Sequence, residues 1–175
     1  AFNDPNVNSP KHMHKLQETL LLASRRGDVN TVYLLLQEGV NPSCSNERGD
    51  TCLHMAVAGD SVDVIQLLLK ACANIAASDV LGRTCLHVVC ETGNANVLKT
   101  LLQFPAAKNR LNINAIASGG ITPLHLCCML GHDQLAKELL LNGASFLMKD
   151  ETGFAPIHHA ATAGHVDIIN LLGEY

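Results

Sequence analysis

Tryptophan is absent from this 175-residue chain, and aromatic residues make up only 3% of it. Sandwiches and barrels fill their pleated faces with aromatic and β-branched side chains, so an all-β architecture is disfavoured. Long apolar runs are missing too. Unbroken apolar stretches, such as Leu67 to Leu69, are only a few residues long and fall far short of the roughly 20 residues that span a bilayer, so no membrane insertion is expected. Positive charge is in deficit: 12 Lys and Arg face 16 Asp and Glu, for a net charge of −4. No basic field therefore exists to attract nucleic acid directly. The first fifteen residues, AFNDPNVNSPKHMHK, are polar and hold two prolines, which excludes them as the apolar core of a signal peptide.

Catalytic and metal motifs are equally scarce. There is no G-x-S-x-G, no glycine-rich phosphate loop ending in Lys-Ser or Lys-Thr, and no H-E-x-x-H, so neither an enzyme nor a cofactor site is predicted. The seven cysteines are an odd count, Cys127 and Cys128 are adjacent, and no CxxC pair occurs. They read as reduced thiols of an intracellular protein, cytoplasmic or nuclear or both, with no metal site. Cys44 falls in a turn segment and is the expected reactive thiol.

What the chain does contain is a period. TCLHMA at Thr51, TCLHVV at Thr84, TPLHLC at Thr122 and APIHHA at Ala155 share one register, at intervals of 33, 38 and 33 residues. Thirty-three residues before Thr51, ETLLLA at Glu18 keeps a weakened form, with Leu21 in place of the histidine. Gly27, Gly93, Gly131 and Gly164 follow nine residues after four of these starts, and Asp60, preceded by Gly59, takes that place in the second. Glycine there ends a short helix in the left-handed conformation and reverses the chain. A second apolar stretch follows in each unit: VYLLLQEG, VIQLLLKA, VLKTLLQF, LAKELLLNG and IINLLGEY. Two short helices per unit cannot bury their apolar faces alone, so neighbouring units must stack.

The TPLH-like tetrapeptide with a 33-residue period resembles the ankyrin repeat family over residues 16 to 175. The predicted fold class is all-α, an ankyrin-repeat solenoid of helix-turn-helix units linked by β-hairpin-like loops. Repeats are expected at about 16–48, 49–81, 82–119, 120–152 and 153–175, the first and last atypical, after a flexible polar segment at 1–15. The five surplus residues of the third interval lie in QFPAAKNRLNINAIASGG, and should lengthen the exit of a second helix or its loop. A first residue other than Met and an abrupt end at Tyr175 suggest a domain cut from a longer protein.

The resemblance also implies roles. His54, His87, His125 and His158 are expected to bond the threonine hydroxyl and turn backbone, tying adjacent units together. Stacked helices sit roughly 10 Å apart, too far for two such imidazoles to share a zinc at about 2.1 Å. Cys52 and Cys85 occupy the proline position of the tetrapeptide, and Cys90, Cys127 and Cys128 read as small packing residues. Asn114, in LNINA, matches the slot in which family members are hydroxylated, whereas Ser43, Ala76 and Leu147 stand there elsewhere.

The family presents its partner-facing side chains on a concave face, at hairpin tips and the ends of first helices. Those slots hold Arg25, Arg26, Glu47, Arg48 and Asp50 near the N-terminus. Farther along they hold Val80, Leu81, Arg83, Glu91, Ile121, Met129, Leu130, Glu151 and Phe154. Val80, Leu81, Ile121, Met129, Leu130 and Phe154 are expected to form an exposed apolar strip rimmed by charge, the anatomy of a binding surface. The expected function is a protein-interaction scaffold or adaptor, monomeric in isolation, with a protein or peptide partner. One alternative is a regulatory or substrate-targeting part of a larger enzyme such as a kinase, ubiquitin ligase or lipase. Another follows from RGDTCLHMAV at 48–57 and the lengthened third repeat, which are similar to inhibitors of nuclear factor kappa B and imply a transcription-factor partner.

Overall fold

Proline at the first position of a helix loses no hydrogen bond, and its fixed φ is already helical. Pro10 uses this to open α1 (Pro10–Arg26). In the computed structural model, residues 10–105 and 110–175 are described. The helix therefore already includes residues 10–15, which the sequence reading assigned to a flexible segment. Its buried residues, Leu20, Leu21, Ala23 and Ser24, all lie in its second half, so the first turns extend as a polar helix beyond the packed part.

The helices fall into two units, residues 1–74 and 75–175. In the first, α1 is followed by α2 (Val29–Gln37), α3 (Cys52–Ala58) and α4 (Val62–Lys70). Helix α1 packs on α3 and α2 packs on α4. Asp28 caps α2, its carboxylate accepting the Thr31 N–H at 3.1 Å. The buried rows Leu20–Ala23, Val32–Leu35, Leu53–Ala56–Val57 and Val64–Ile65–Leu68–Leu69 form the core, each at the three-to-four-residue spacing of one helix face.

The second unit repeats the scheme three times. Helices α5 (Cys85–Thr92), α7 (Pro123–Leu130) and α9 (Pro156–Ala163) pack in sequence. Beside them run α6 (Ala95–Gln103), α8 (Asp133–Leu141) and α10 (Val166–Gly173), also in sequence. The two-to-three-residue links inside each pair make the helices antiparallel neighbours. Every expected reversal point has positive φ: Gly27 at 72°, Asp60 at 54°, Gly93 at 77°, Gly131 at 80° and Gly164 at 77°. All ten α-helices among the described residues are joined by loops without regular strands. Those loops hold isolated antiparallel bridges, Ser45–Thr51, Ser78–Thr84 and Ala117–Ile121.

Helices α4, α6 and α8 each have nine residues, so the surplus of the third interval does not lengthen its second helix. Phe104 ends α6 at φ −67°, ψ 122°, because a residue before proline is driven out of the helical region. The extra residues thus fall between Phe104 and Leu111, a stretch that includes residues 106–109, outside the described residues.

Candidate functional site

Three of the four hairpin loops begin with a residue whose side chain can replace missing backbone partners. In the second unit, Asp79 Oδ1 accepts the backbone N–H groups of Leu81 and Arg83, both at 2.8 Å. Its Oδ2 accepts Nε of Arg83 at 2.7 Å. Asp150 plays the same part, accepting the N–H groups of Thr152 and Phe154 at 2.9 Å. It also accepts the Thr152 hydroxyl at 2.6 Å and His159 Nε2 at 2.6 Å. In the first unit Asn46 takes the N–H groups of Arg48 and Asp50, both at 2.9 Å. A carboxylate satisfied by several donors is stabilised in its charged form. Burial of Asp79 opposes this, but the Arg83 backbone and guanidinium hold it below the usual carboxylate range. The Thr152 hydroxyl, with Phe154 N–H and His159, holds Asp150 well below it.

None of these three residues was singled out from the sequence, yet the signal is there. Asn46, Asp79 and Asp150 each stand five positions before the helix-capping residue, at Thr51, Thr84 and Ala155. They freeze the loop tips that carry Arg48, Val80, Leu81, Arg83 and Phe154. The third loop has Ala117 at this position and uses another device. Ser118 donates both its N–H (2.8 Å) and its hydroxyl (3.0 Å) to the carbonyl of Leu81.

The histidines act at the next level. Nδ1 of His87 accepts the N–H of Thr84 at 3.1 Å, and its Nε2 donates to the carbonyl of Ile121 at 3.1 Å. His125 does likewise with Thr122 N–H at 3.2 Å and the carbonyl of Phe154 at 3.2 Å. A carbonyl acceptor places the proton on Nε2, so both rings serve as neutral tautomers. Burial, opposed by those carbonyl bonds, keeps both imidazoles below the ordinary histidine value. His54 makes the same cap with Thr51, at 3.2 Å from the N–H and 2.8 Å from the hydroxyl. His158 differs: it is exposed, its cap residue is Ala155, and Phe154 stacks on it at 5.6 Å. A second histidine ladder was not foreseen. His132 and His165 pack on Gly93 and Gly131, where an added Cβ would come within 2.6 Å of either ring. His165 Nε2 also donates to Met129 O at 3.2 Å.

The expected apolar strip divides. Val80, Leu81, Leu130 and Phe154 are exposed, at 70%, 51%, 47% and 46%. Ile121 and Met129 are partly buried, and their backbone carbonyls accept from His87 and His165. Leu81, Ala117, Ile121 and Leu126 border a depression of about 160 Å³, with Arg83, His87, Glu91 and Ser118 completing its lining. Arg83 bridges Asp79 and both oxygens of Glu91, the latter at 3.2 Å. In the first unit, Arg25 and Arg26 end α1 exposed, where their charge complements the helix dipole. Arg48 is exposed on its loop tip.

Asn114 is half-buried, and both ends of its amide are engaged. Nδ2 donates to Gly143 O at 3.2 Å and Oδ1 accepts Ser145 N–H at 2.8 Å, clipping one loop to the next. Ser43, in the same slot, does this with its hydroxyl, which accepts Asn74 N–H at 2.9 Å.

The expectation for Cys44 is overturned. It is 7% exposed, its Sγ lies 3.3 Å from Cys52 Sγ, and the loop turns it inward toward the Gln17 carbonyl of α1. Burial raises the thiols of Cys85 and Cys128 to about 12. Cys72 is the exposed cysteine, on a residue with φ 62° that ends its turn. A maleimide added to the folded protein is expected to modify Cys72 first, and Cys72→Ser should remove that fast phase. Mass spectrometry of the first adduct checks this; initial labelling at Cys44 would contradict it.

Among the described residues no helix is long and apolar enough to cross a membrane, and no cluster of three metal-ligating side chains occurs. The family described as ankyrin repeats (3 copies) matches residues 20–114 and 105–175. A palmitoyltransferase, AKR1 of Lachancea kluyveri, is 32% identical over 145 residues, or 81% of this chain and 20% of that protein. The human transient receptor potential cation channel subfamily A member 1 is 40% identical over 53 residues, 30% of this chain and 5% of the channel. Mouse protein phosphatase 1 regulatory subunit 27 is 32% identical over 63 residues, 36% of this chain and 41% of that protein. The chain thus spans a minor part of the length of these relatives. With the capped helix pairs, the histidine ties between them and a family match from residue 20 to residue 175, this chain belongs to the ankyrin repeat family.

Proposed function

We propose that the chain is a non-catalytic protein-interaction module, and that residues 80–154 carry its principal contact surface. The observation behind this reading is the combination of exposure and rigidity at the loop tips. Val80, Leu81 and Phe154 are large, apolar and exposed, although the adjoining backbone is fixed by Asp79, Asp150, His87 and His125. Apolar side chains held out in water contribute nothing to the core, and a preordered surface loses little entropy on binding. Arg25, Arg26 and Arg48 offer a separate, basic contact region in the first unit. The reading places the module inside the cell, where its thiols stay reduced.

A variant carrying Leu81→Asp, Leu130→Asp and Phe154→Asp tests the surface. All three side chains are exposed, so charge can be introduced there without entering the core. Central apolar anchors are each worth about 2 kcal/mol or more, so binding should weaken at least a hundredfold while circular dichroism stays unchanged. Equal recovery of every captured protein by wild type and variant would overturn the assignment.

A second reading follows from the palmitoyltransferase, of which the chain matches only 20%. The repeats would then be the substrate-targeting part of a larger enzyme, and the protein captured on this surface would be that enzyme's substrate. Excess isolated repeat domain should then compete with the substrate for modification.

A further inference from the structure

We propose that the depression bordered by Leu81, Ile121 and Leu126 anchors a peptide in which a leucine-sized apolar side chain is followed by an arginine or lysine. This rests on the reading of the surface as protein-binding and specifies the chemistry of what binds.

Size comes first. A volume of about 160 Å³ is well below the roughly 300–1,000 Å³ of small-molecule sites. At about 30 Å³ per water-sized group it takes some five such groups, the bulk of one branched aliphatic side chain. The walls are apolar and fixed. Leu81 O is held by two donors from Ser118, and Ile121 O by His87. The depression is therefore formed before a ligand arrives.

Charge decides the neighbour. Arg83 is the one cation lining the depression, and it faces two carboxylates, Asp79 and Glu91. Asp79 is spent inside the hairpin, with its side chain 2% exposed. Glu91 keeps 38% of its side chain exposed. His87 is the neutral tautomer that donates to Ile121, so it adds no positive charge. Asp79, Arg83 and Glu91 together carry a net charge of −1, and Glu91 is the carboxylate of the three that reaches both the depression and solvent. A residue flanking the buried anchor meets that charge, which selects a cation over an anion.

The test is methyl NMR on the whole chain, with the Ile121, Leu126 and Leu81 methyl groups assigned. The probes are the amides of N-acetyl-Leu-Arg, N-acetyl-Leu-Glu and N-acetyl-Ala-Arg, at millimolar concentration. Leu-Arg should shift the Ile121 and Leu126 methyl signals saturably. Leu-Glu should bind about two- to fivefold more weakly, as expected for an exposed ion pair, and Ala-Arg should produce no shift. Glu91→Gln should bring Leu-Arg and Leu-Glu to the same affinity, and Leu81→Ala should weaken both. Absence of shifts at these methyl groups, or equal affinity of Leu-Arg and Leu-Glu for the unaltered protein, would overturn the proposal. Such a result, beside a protein partner lost with the Leu81, Leu130 and Phe154 variant, would leave the interaction module standing and remove only this anchor chemistry.

Discussion

His87→Ala is expected to lower the unfolding free energy by about 3 kcal/mol, and His158→Ala by less than about 1 kcal/mol. The two histidines share one register of the repeat, so sequence position alone would give them equal weight. His87 is fully buried and donates to the Ile121 carbonyl while accepting from Thr84 N–H. Its removal leaves two backbone groups unpaired in the interior and opens a cavity the size of an imidazole, and these costs add. His158 is exposed, caps an alanine, and accepts one N–H, from Ala155, where His87 bonds two backbone groups. Urea denaturation of both variants measures the difference directly; similar losses would refute the argument.

The same histidines give stability a pH dependence. Burial depresses the His87 and His125 imidazoles below the usual 6.5, so between the folded and unfolded values the unfolded chain binds more protons. Stability therefore rises with pH through that window. Their contribution is complete above about pH 6.5 and is lost as the pH falls below it. Urea midpoints should drop from pH 7 to pH 5, with a shallower slope in His87→Ala. A flat profile would mean that these rings protonate without leaving their bonds.

Gly120→Ala is expected to destabilise the protein by about 3 kcal/mol or more, against about 1 kcal/mol for Gly143→Ala. Both residues have positive φ, 76° and 88°, so both substitutions incur the left-handed penalty. Only Gly120 is also crowded. A Cβ there would sit 2.7 Å from the Glu151 nitrogen and 2.9 Å from the Asp150 Cα, whereas nothing lies within 4 Å at Gly143. The obstacle is backbone, which cannot rotate aside. Relief requires parting the loop of Ile121 from the loop of Phe154, and with it the Glu151 N–H bond to Gly119 O at 3.0 Å. Partner binding on that surface should fall together with the melting temperature. A Gly120→Ala protein as stable as Gly143→Ala would show that the loops separate at little cost.

Much of this molecule follows from sequence because its information is local and repeated. The tetrapeptide places a cap, a helix start and a histidine within four residues, and the glycine nine positions on sets the reversal. Each of those outcomes depends on neighbours in the chain, so periodicity identified the helix pairs, and the resemblance to ankyrin repeats implied the capping role of His54, His87 and His125. The hairpin residues Asn46, Asp79 and Asp150 share a register that breaks at Ala117, and a single Asp or Asn five residues before a helix cap means little until its two backbone partners are seen.

Tertiary structure alone decided the rest. Whether Cys44 points outward depends on how its loop lies against α1, so a residue read as reactive is buried and Cys72 is the exposed thiol. Which of the apolar tips stays in water was likewise not legible in the sequence: Ile121 and Met129 are partly buried, while Leu81 and Phe154 stay exposed. The depression beside Leu81 exists only because two loops 37 residues apart are tied at one carbonyl. The sequence by itself determined which helices form and how each is capped, since those are near-neighbour effects. The exposure of the loop tips was decided by contacts between repeats, where the side chains involved are distant in sequence and carry no local signature.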